Sequence, residues 1–328
     1  MNPLDLFRKF LAVQALVTTL NRLPPMKTFM MDLIYPESVR RMHPYDRLSL
    51  SDLRLPRKNI PLVRRGSASY PLMPEKGRIT QIEPENIVPA ISLTAADVNR
   101  FRTLGLASQQ TLMDNYIDDL RQTVRKSTEA LAIQSISGKI SYDIRTADGN
   151  LDLYEVNFGT PKTVTVGKKW DDPTATAGDI TSSVGRIIGS LQETSGGADI
   201  IHLIKWDVFS ALVAKAGTLN NPELIKVFET HIQIGNARFM LCESRYRSHK
   251  DDSFVDAIPD KKVVSIARDD AFGLYYCALD SFDANFAPLP FYVKSIAKDD
   301  PDGVTFIGQS RPMPVPNVDA IRVTQVLA

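Results

Sequence analysis

An acidic turn near the C-terminus is the grouping of residues in this chain that most resembles a chemical site. Asp299-Asp300-Pro301-Asp302-Gly303 offers three carboxylates to a hard cation such as Ca²⁺. It lacks the downstream bidentate glutamate and the alternating ligand spacing of a calcium loop, whereas Asp, Pro and Gly are the residues that a hairpin turn requires. The sequence therefore predicts a turn here, and no metal site.

The sequence lacks the common phosphate-binding and catalytic motifs. Gly167-Lys168-Lys169 lacks the upstream glycine and the Ser/Thr of a Walker loop, which indicates a charged turn. The sequence has no dinucleotide-binding glycine motif, zinc-protease motif or nucleophile elbow. The four histidines are scattered, and His202 lies within an apolar run, where a core residue is expected. We expect no cofactor and no catalytic residue, although a site assembled from distant residues leaves the enzyme alternative open.

The cysteines and the N-terminus indicate a cellular location. Cys242 and Cys277 each lie in an apolar, strand-like run, so we expect buried free thiols in a reducing compartment. Residues 8–20 imitate a signal peptide but contain interrupting polar residues and are followed by no small-residue cleavage site. No run approaches the roughly 20 apolar residues of a membrane span. We expect a cytoplasmic protein without a membrane partner.

The elements that surround these residues occupy unequal parts of the chain. The 328 residues, 43% of them hydrophobic, suffice for one large or two modest domains. Near the C-terminus, residues 291–297 and 304–307 flank the acidic turn and predict a two-stranded ribbon, followed by a proline-rich exit at 309–316. Residues 1–34 form an apolar, amphipathic segment, broken at Pro24-Pro25, that needs a surface on which to dock.

The middle of the chain predicts helices and strands. Spacings of three and four among Leu112, Tyr116, Leu120, Val124, Thr128 and Leu131 predict a long helix from Ser108 to Gly138. A compact α/β region follows from a predicted helix start at Asp172-Pro173, with strands at 200–204, 239–242, 263–267 and 274–279. Further helices are predicted at 206–216 and from Asn221-Pro222 to about His231.

Charge is distributed unevenly along the chain. The net charge is only +1, which argues against a dedicated nucleic-acid binder. Residues 35–80 nevertheless hold ten Lys or Arg against four acidic residues, whereas residues 81–328 carry a net charge of −7. Residues 35–90 also hold ten prolines and glycines. This composition fits either an extended ribbon or a disordered basic linker.

The order of these features resembles the phage major capsid protein family of the lambda E type. The resemblance is carried by Phe291-Tyr292-Val293-Lys294, by the Asp299-Asp300-Pro301 turn, by the stretch from Gly308 to Pro316, and by the closing residues 323–328. Weaker similarity covers Tyr35-Pro36, Arg64-Arg65-Gly66-Ser67-Ala68, Glu83-Pro84, Ala130-Leu131, Gly138-Lys139 and Val156-Asn157-Phe158.

This resemblance implies a mixed α+β chain with the Hong Kong 97 capsid fold. Residues 1–47 would be an N-terminal arm and 48–83 an extended E-loop. Residues 84–159 and 286–316 would form the peripheral domain, with the spine helix at about 108–138. Residues 160–285 and 317–328 would form the axial domain. We also expect no removed prodomain, as in the lambda type.

The implied function is that of a major capsid protein, which forms hexamers and pentamers of an icosahedral virion shell assembled in the host cytoplasm. The implied partners are copies of the chain, scaffold, portal and decoration proteins, and packaged double-stranded DNA bound non-specifically on the inner face. The inter-subunit contacts are predicted at arm hydrophobes and basic loop residues: Phe29, Met30, Leu33, Ile34, Arg54, Arg57, Lys58, Arg64, Arg65, Lys76 and Arg78.

Two other classes of protein remain as alternatives. A tail-tube or other virion interaction protein would also have extended arms, and an enzyme could carry a flexible basic lid over residues 172–285. For the capsid hypothesis, we expect that deleting residues 1–34, or replacing Arg64 and Arg65 with Glu, leaves soluble protein that forms no shells.

Overall fold

The fold is taken from a computed structural model, which describes residues 7, 10, 11, 18–20, 22–49, 81–146, 148–195, 199–219, 224–248, 251–269 and 271–328. The helices are α1 (Phe29–Ile34), α2 (Ala95–Thr103), α3 (Leu106–Ser135), α4 (Ala177–Ser195) and α5 (Trp206–Thr218). The strands are β1 (Arg40–Met42), β2 (Leu48–Ser49), β3 (Gln81–Ile82), β4 (Ala90–Thr94), β5 (Lys139–Arg145), β6 (Leu151–Asn157), β7 (Lys162–Thr163), β8 (Asp199–Ile204), β9 (Ile225–Val227), β10 (His231–Ile234), β11 (Ala237–Leu241), β12 (Arg245–Arg247), β13 (Phe254–Asp256), β14 (Lys262–Arg268), β15 (Gly273–Tyr276), β16 (Tyr292–Asp299), β17 (Asp302–Gln309), β18 (Pro312–Val315) and β19 (Ile321–Gln325).

The chain divides into two compact units, each assembled from separated segments. The first combines the described residues up to Leu48 with Gln81–Glu129 and Leu274–Met313. The second combines Ala130–Gly273 with Pro314–Ala328. The arm, E-loop, peripheral and axial boundaries given above stay predictions.

The first unit is built on the antiparallel sheet β16-β17-β4. Strands β16 and β17 pair along their whole length, with Asp299 opposite Asp302, so Asp300-Pro301 forms the tip of a hairpin. The predicted ribbon and turn are therefore confirmed. Gly303 is required by close backbone approach, because a Cβ atom there would lie 2.3 Å from the carbonyl oxygen of Leu93 on β4.

Aromatic side chains from the N-terminal segment fill the core of the first unit. Phe7 is fully buried, with its ring 5.0 Å from that of Phe101 and 5.1 Å from that of Phe306. Phe10 packs against the other side of the same cluster, with its ring 6.0 Å from that of Phe101. The N-terminal hydrophobes thus dock on their own unit, since burying two phenylalanines stabilises by about 2 kcal/mol each.

The long helix begins earlier than the sequence predicts and ends shortly before Gly138, the predicted stop. The main-chain amide of Gln109 donates to the carbonyl oxygen of Gly105 at 3.0 Å, so Gly105 rather than Ser108 precedes the first helical residue, Leu106. The last helical residue is Ser135, and Gly138 follows at a φ of +80°. A Cβ atom at Gly138 would lie 2.1 Å from the carbonyl oxygen of Gly159, so only glycine fits there.

The buried face of α3 differs partly from the predicted stripe. From Leu120 onward the predicted residues are buried, but nearer the N-terminus the buried residues are Met113 and Ile117. Leu112 and Tyr116 are partly buried beside them. Both rows have helical spacing, so periodicity alone could not distinguish between neighbouring rows.

The second unit is built on a seven-stranded mixed sheet with the order β7-β19-β14-β8-β11-β10-β9. The predicted strands at 200–204, 239–242 and 263–267 are confirmed as the central strands β8, β11 and β14. The apolar core contains residues from the sheet, from α4 and from α5, with Trp170 among its largest buried side chains.

The start of α4 is set by a capping box that the sequence analysis missed. The prediction that this helix begins at Asp172-Pro173 is wrong, because the helix begins at Ala177. The amide of Asp179 donates to Thr176 Oγ1 at 3.2 Å, and the amide of Thr176 donates to Asp179 Oδ2 at 2.9 Å. These reciprocal bonds satisfy the free amides of the first turn. The main-chain carbonyl oxygen of Asp172 instead accepts from the amide of Ala175 at 3.0 Å and closes a turn.

The predicted helix from Asn221-Pro222 to about His231 is also wrong. Residues 221–223 lie outside the described structure, and strands β9 and β10 occupy the following residues. Ile232 and Ile234 are buried and alternate with the less buried His231 and Gln233, which is the two-residue period of a strand. The alternation of buried and less buried residues therefore favours strands here, although Asn221-Pro222 is typical of a helix start.

Candidate functional site

The short helix α1 is held against α3 by a partly buried carboxylate. Glu129 accepts hydrogen bonds from the main-chain amides of Met30 at 2.8 Å and Met31 at 2.7 Å. Burial raises the pKa of the Glu129 carboxyl, although these two bonds act in the opposite direction. The free amides at the start of α1 are thereby satisfied by a side chain from another element.

A second carboxylate joins α1 to the chain on both sides. Asp32 accepts from Arg40 at 2.5 Å, from Arg125 on α3, and from the main-chain amide of Thr28 at 2.8 Å. Burial of the Asp32 carboxyl acts to raise its pKa, but these hydrogen bonds outweigh burial and hold the pKa below its ordinary value. The arm is thus fixed by a network of charged hydrogen bonds as well as by apolar packing.

The chain that follows α1 joins a sheet of the same unit. Strand β1 runs parallel to β15, with Arg41 opposite Tyr275. Arg41 Nη1 donates to the Tyr275 hydroxyl at 2.6 Å, and the guanidinium also lies over the ring, 5.3 Å from its centre. Because Arg41 and Tyr275 are 234 positions apart in sequence, this pairing joins two distant segments of the first unit.

Arg311 is a buried cation within the C-terminal stretch that resembles the capsid family. Its Nε donates to the carbonyl oxygen of Pro84 at 2.6 Å, and its Nη1 donates to the carbonyl oxygen of Ala278 at 3.3 Å and to Asp280 at 3.2 Å. Three separated segments of the first unit therefore meet at one guanidinium, which indicates a structural role for this arginine.

The structure describes four of the predicted interface residues. Met30 and Ile34 are fully buried and Leu33 is partly buried, whereas Phe29 is 40% exposed. The remaining predicted residues lie outside the described structure: Arg54, Arg57, Lys58, Arg64, Arg65, Lys76 and Arg78. Of the arm hydrophobes, Phe29 thus has the largest exposed surface.

Other exposed apolar side chains were not identified by the sequence analysis. Large side chains that are more than half exposed occur in both units: Met42, Tyr45, Leu106 and Phe282 in the first, and Leu151, Trp206 and Phe254 in the second. Phe282 is the most exposed, at 88%, and its ring packs edge-on against that of Phe286. Some of these residues stand among polar neighbours, whereas Trp206 and Phe254 lie close to other apolar residues, so no shared sequence pattern distinguishes them from core residues.

The described residues were compared with the predictions for metal ligands, cysteines and histidines. No three His, Cys, Asp or Glu side chains there converge as they would around a metal ion. Cys242 and Cys277 are both buried thiols, as predicted. His202 is a core residue, as predicted: its Nδ1 lies 2.8 Å from Ser265 Oγ. Within the same described ranges, no helix has the length and apolar content required to cross a bilayer.

Comparison with known proteins gives a family and a fold. The chain matches the family described as phage major capsid protein E over residues 12–326. No curated protein matches it. Its solved structural relatives include a prophage chain of Escherichia coli CFT073 assigned as a capsid protein, with a TM-score of 0.61 and 16% identity over 96% of this chain and 98% of that chain.

Two further structures have lower scores. A phage-related protein of Bordetella bronchiseptica RB50 has a TM-score of 0.49 and 10% identity over 96% of this chain and 97% of that chain. The mature capsid of bacteriophage PhiM1 has a TM-score of 0.44 and 10% identity over 92% and 88%.

The family match spans both units and includes α1, α3 and the C-terminal ribbon of β16 and β17. It favours the capsid hypothesis over the tail-tube and enzyme alternatives. The mixed helix-and-strand architecture agrees with the fold of the solved capsid relative. The chain therefore belongs to the phage major capsid protein E family, has the Hong Kong 97-type fold, and is a major capsid protein of a phage.

Proposed function

We propose that this capsid protein assembles into pentamers and hexamers that form an icosahedral shell around double-stranded DNA. The observation that carries the proposal is the family match over residues 12–326. Membership in a capsid family implies that copies of the chain associate with one another, that they reside in the virion, and that the role of the chain is structural. Assembly would take place in the host cytoplasm.

The contacts between neighbours would involve the arm and the basic loop. Residues 50–80 hold seven basic and two acidic residues, whereas residues 81–328 carry a net charge of −7. A basic segment that crosses an acidic neighbour gives orientation and specificity to the contact. Phe29 and the seven basic loop residues are our candidates for it, while the buried Met30 and Ile34 stabilise the arm within its own unit.

Many weak contacts would suffice to hold the shell together. Each subunit engages several neighbours, so the linked contacts act at high effective concentration and the shell exceeds any single interface in stability. A net charge of +1 also suits a shell that faces DNA without binding nucleic acid tightly before assembly. Scaffold, portal and decoration proteins are further proposed partners.

Negative-stain electron microscopy of the purified, concentrated protein tests this function. One sample contains the protein alone. The other contains the protein mixed with a DNA-free lysate of cells that express its native operon. Closed shells, or rings of five and six subunits, are the expected result. Small particles in both samples would contradict self-assembly, and uniform tubes would indicate a tail-tube protein.

A further inference from the structure

The hairpin formed by β5 and β6 has an open edge. In the part of the chain that the structure describes, these strands form a sheet of two strands with seven residues each. The hairpin follows the spine helix directly and lies in the second unit. An unpaired strand edge presents a row of amide and carbonyl groups that another strand can join.

The hydrogen bonds show which residues of β6 point outward. The amide of Phe158 donates to the carbonyl oxygen of Gly138 at 2.8 Å, so the even-numbered residues of this hairpin form the hydrogen-bonded pairs. The amide of Leu153 points to the other side and donates to the Oδ1 of its own neighbour, Asp152, at 2.7 Å. Main-chain groups of Leu151, Leu153 and Glu155 therefore face the open edge of β6.

The opposite edge of the hairpin is partly covered. The amide of Ser141 on β5 points outward and donates to Gln134 Oε1 at 2.6 Å. A side chain from α3 therefore already occupies a hydrogen-bonding position on this edge. On β6, Leu151 is 59% exposed and Leu153 is 49% exposed, and both lie on the same face of the hairpin. The edge of β6 thus combines outward main-chain groups with exposed apolar surface, and the amide of Leu153 would exchange its bond to the adjacent Asp152 side chain for one to an added strand.

We propose that β6 of one subunit pairs antiparallel with β6 of a second copy, about a two-fold axis at Leu153, to form a continuous four-stranded sheet. The inference rests on the proposed assembly of copies into a shell. It names a surface between copies that involves neither the arm nor the basic loop. Strand addition at a sheet edge supplies main-chain hydrogen bonds, and alternate side chains supply specificity.

The sequence of β6 is self-complementary in this register. Leu153 lies opposite Leu153 of the second copy, and Leu151 of each copy adjoins that pair, so four exposed leucines form one apolar cluster. Asp152 lies opposite Tyr154. A shift that centres the axis on Asp152 would place two carboxylates directly opposite each other, which is destabilising. A shift that centres it on Tyr154 would separate the leucines.

The charges near the leucines do not oppose this pairing. Glu155 is paired with Lys139 at 2.5 Å within its own hairpin, and it would lie opposite Leu151 of the second copy. The contact is small, but contacts of this size accumulate over a shell. A two-fold contact also covers the open edge of β6 in both copies, so no third hairpin can add to it.

Cysteine cross-linking in assembled shells tests the register. Directly opposite residues in a hydrogen-bonded antiparallel pair have Cα atoms about 5.5 Å apart, within the range of a disulfide. We expect Leu153→Cys to give a disulfide-linked dimer under oxidising conditions that disappears on reduction. Leu151→Cys is the matched control, because its counterpart in the second copy would lie roughly 14 Å away. The native cysteines are buried, so they leave the background low.

A second variant tests the same register in case Leu153→Cys does not fold. Leu151→Cys with Glu155→Cys places a cysteine opposite a cysteine twice in the proposed register, and we expect this variant also to yield dimers. Shells without a dimer in either variant would overturn the inference while leaving the capsid function intact. Absence of shells from the unmodified chain would instead contradict the proposed function.

The same experiment identifies another occupant of the edge. A zero-length cross-linker that joins Glu155 to a lysine in residues 50–80 of a neighbour, in shells where Leu153→Cys gives no dimer, would show that the basic loop adds to β6. That result would also overturn the self-pairing.

Discussion

The carboxylate of Glu129, on the spine helix, accepts a hydrogen bond from the main-chain amide of Met30 at 2.8 Å. Side chains more often cap a helix from within its own first turn, whereas this cap comes from ninety-nine residues away. The position of the arm is thus decided by tertiary structure. In this capsid protein, α1 is fixed by hydrogen bonds to α3 of the same chain.

Replacing Glu129 with Ala should loosen the arm. The variant leaves two amides of α1 without a partner in a buried place, which should lower the free energy of unfolding by about 2–4 kcal/mol. Glu129→Gln keeps one acceptor oxygen and should lower the free energy of unfolding by about half as much as Glu129→Ala. Urea unfolding of the unassembled protein measures both changes.

Glu243 provides a matched control. It also accepts from the first amide of a helix, Trp206 at 2.8 Å, but at an exposed position. Glu243→Ala should cost less than about 1 kcal/mol, because water replaces the lost bond. Equal losses at the two sites would contradict the claim that burial makes the Glu129 cap important.

The second unit should lose stability in acid because of His202. Its ring is buried between β11 and β14, 4.6 Å from the ring of Phe239, and burial lowers its pKa to about 4. The unfolded chain binds a proton near pH 6.5, whereas the folded chain resists protonation until about pH 4. Stability is therefore full above pH 6.5 and falls by about 3 kcal/mol between these values.

Unfolding free energies measured from pH 7 to pH 4 check this expectation. His202→Gln should remove most of the change in the free energy of unfolding with pH (the slope), because glutamine does not titrate. His231→Gln should change the slope little, since that ring is far less buried. An unchanged slope in His202→Gln would exclude this histidine as the source of acid sensitivity.

Arg311→Ala should destabilise the first unit by about 2–4 kcal/mol, because the carbonyl oxygens of Pro84 and Ala278 would lose a charged donor. Arg311→Lys should restore little of the lost stability, since lysine lacks the planar guanidinium that donates to three acceptors. Thermal unfolding measures the change. Arg247→Ala, which breaks the exposed ion pair with Asp252, should cost less than about 1 kcal/mol; a similar loss there would argue against a special role for Arg311.

Two glycine substitutions should act in opposite directions. Gly303→Ala would force its Cβ atom against the carbonyl oxygen of Leu93 and should weaken the pairing of β17 with β4 by more than about 2 kcal/mol. Gly189→Ala, in the interior of α4 with no atom within 4 Å of the new Cβ, should stabilise by about 0.5–1 kcal/mol. Chemical denaturation gives both values, and the same sign for both would refute the steric explanation.

The structure changes one expectation about assembly. Deletion of residues 1–34 removes Phe7, Phe10, Met30 and Ile34 from the core, so we now expect misfolded rather than soluble protein. Arg64→Glu with Arg65→Glu remains the better test and should abolish shells while leaving a folded chain. Arg100→Glu with Arg102→Glu makes the same charge change at exposed positions of α2, and shells should persist. Circular dichroism and electron microscopy read out folding and assembly.

Local patterns were sufficient to predict several elements correctly. The ribbon of β16 and β17 has alternating residues around an Asp-Pro-Gly turn, and both its strands and its turn are where the pattern places them. The strands around His202 and the long helix were likewise predicted from periodicity. These features depend on neighbours in sequence, which a sequence displays directly.

Features that depend on distant partners were decided by tertiary structure alone. The bond from Met30 to Glu129, the three acceptors of Arg311 and the open edge of β6 join or expose residues that no local pattern connects. The two adjacent rows of α3 have the same spacing, so its buried face was settled only by packing against the ribbon and the N-terminal phenylalanines. The sequence by itself determined the family and the main elements, because both are encoded in the order of residues. The anchoring of the arm and the surfaces left open for neighbours were decided by the fold, because they depend on which side chains meet in space.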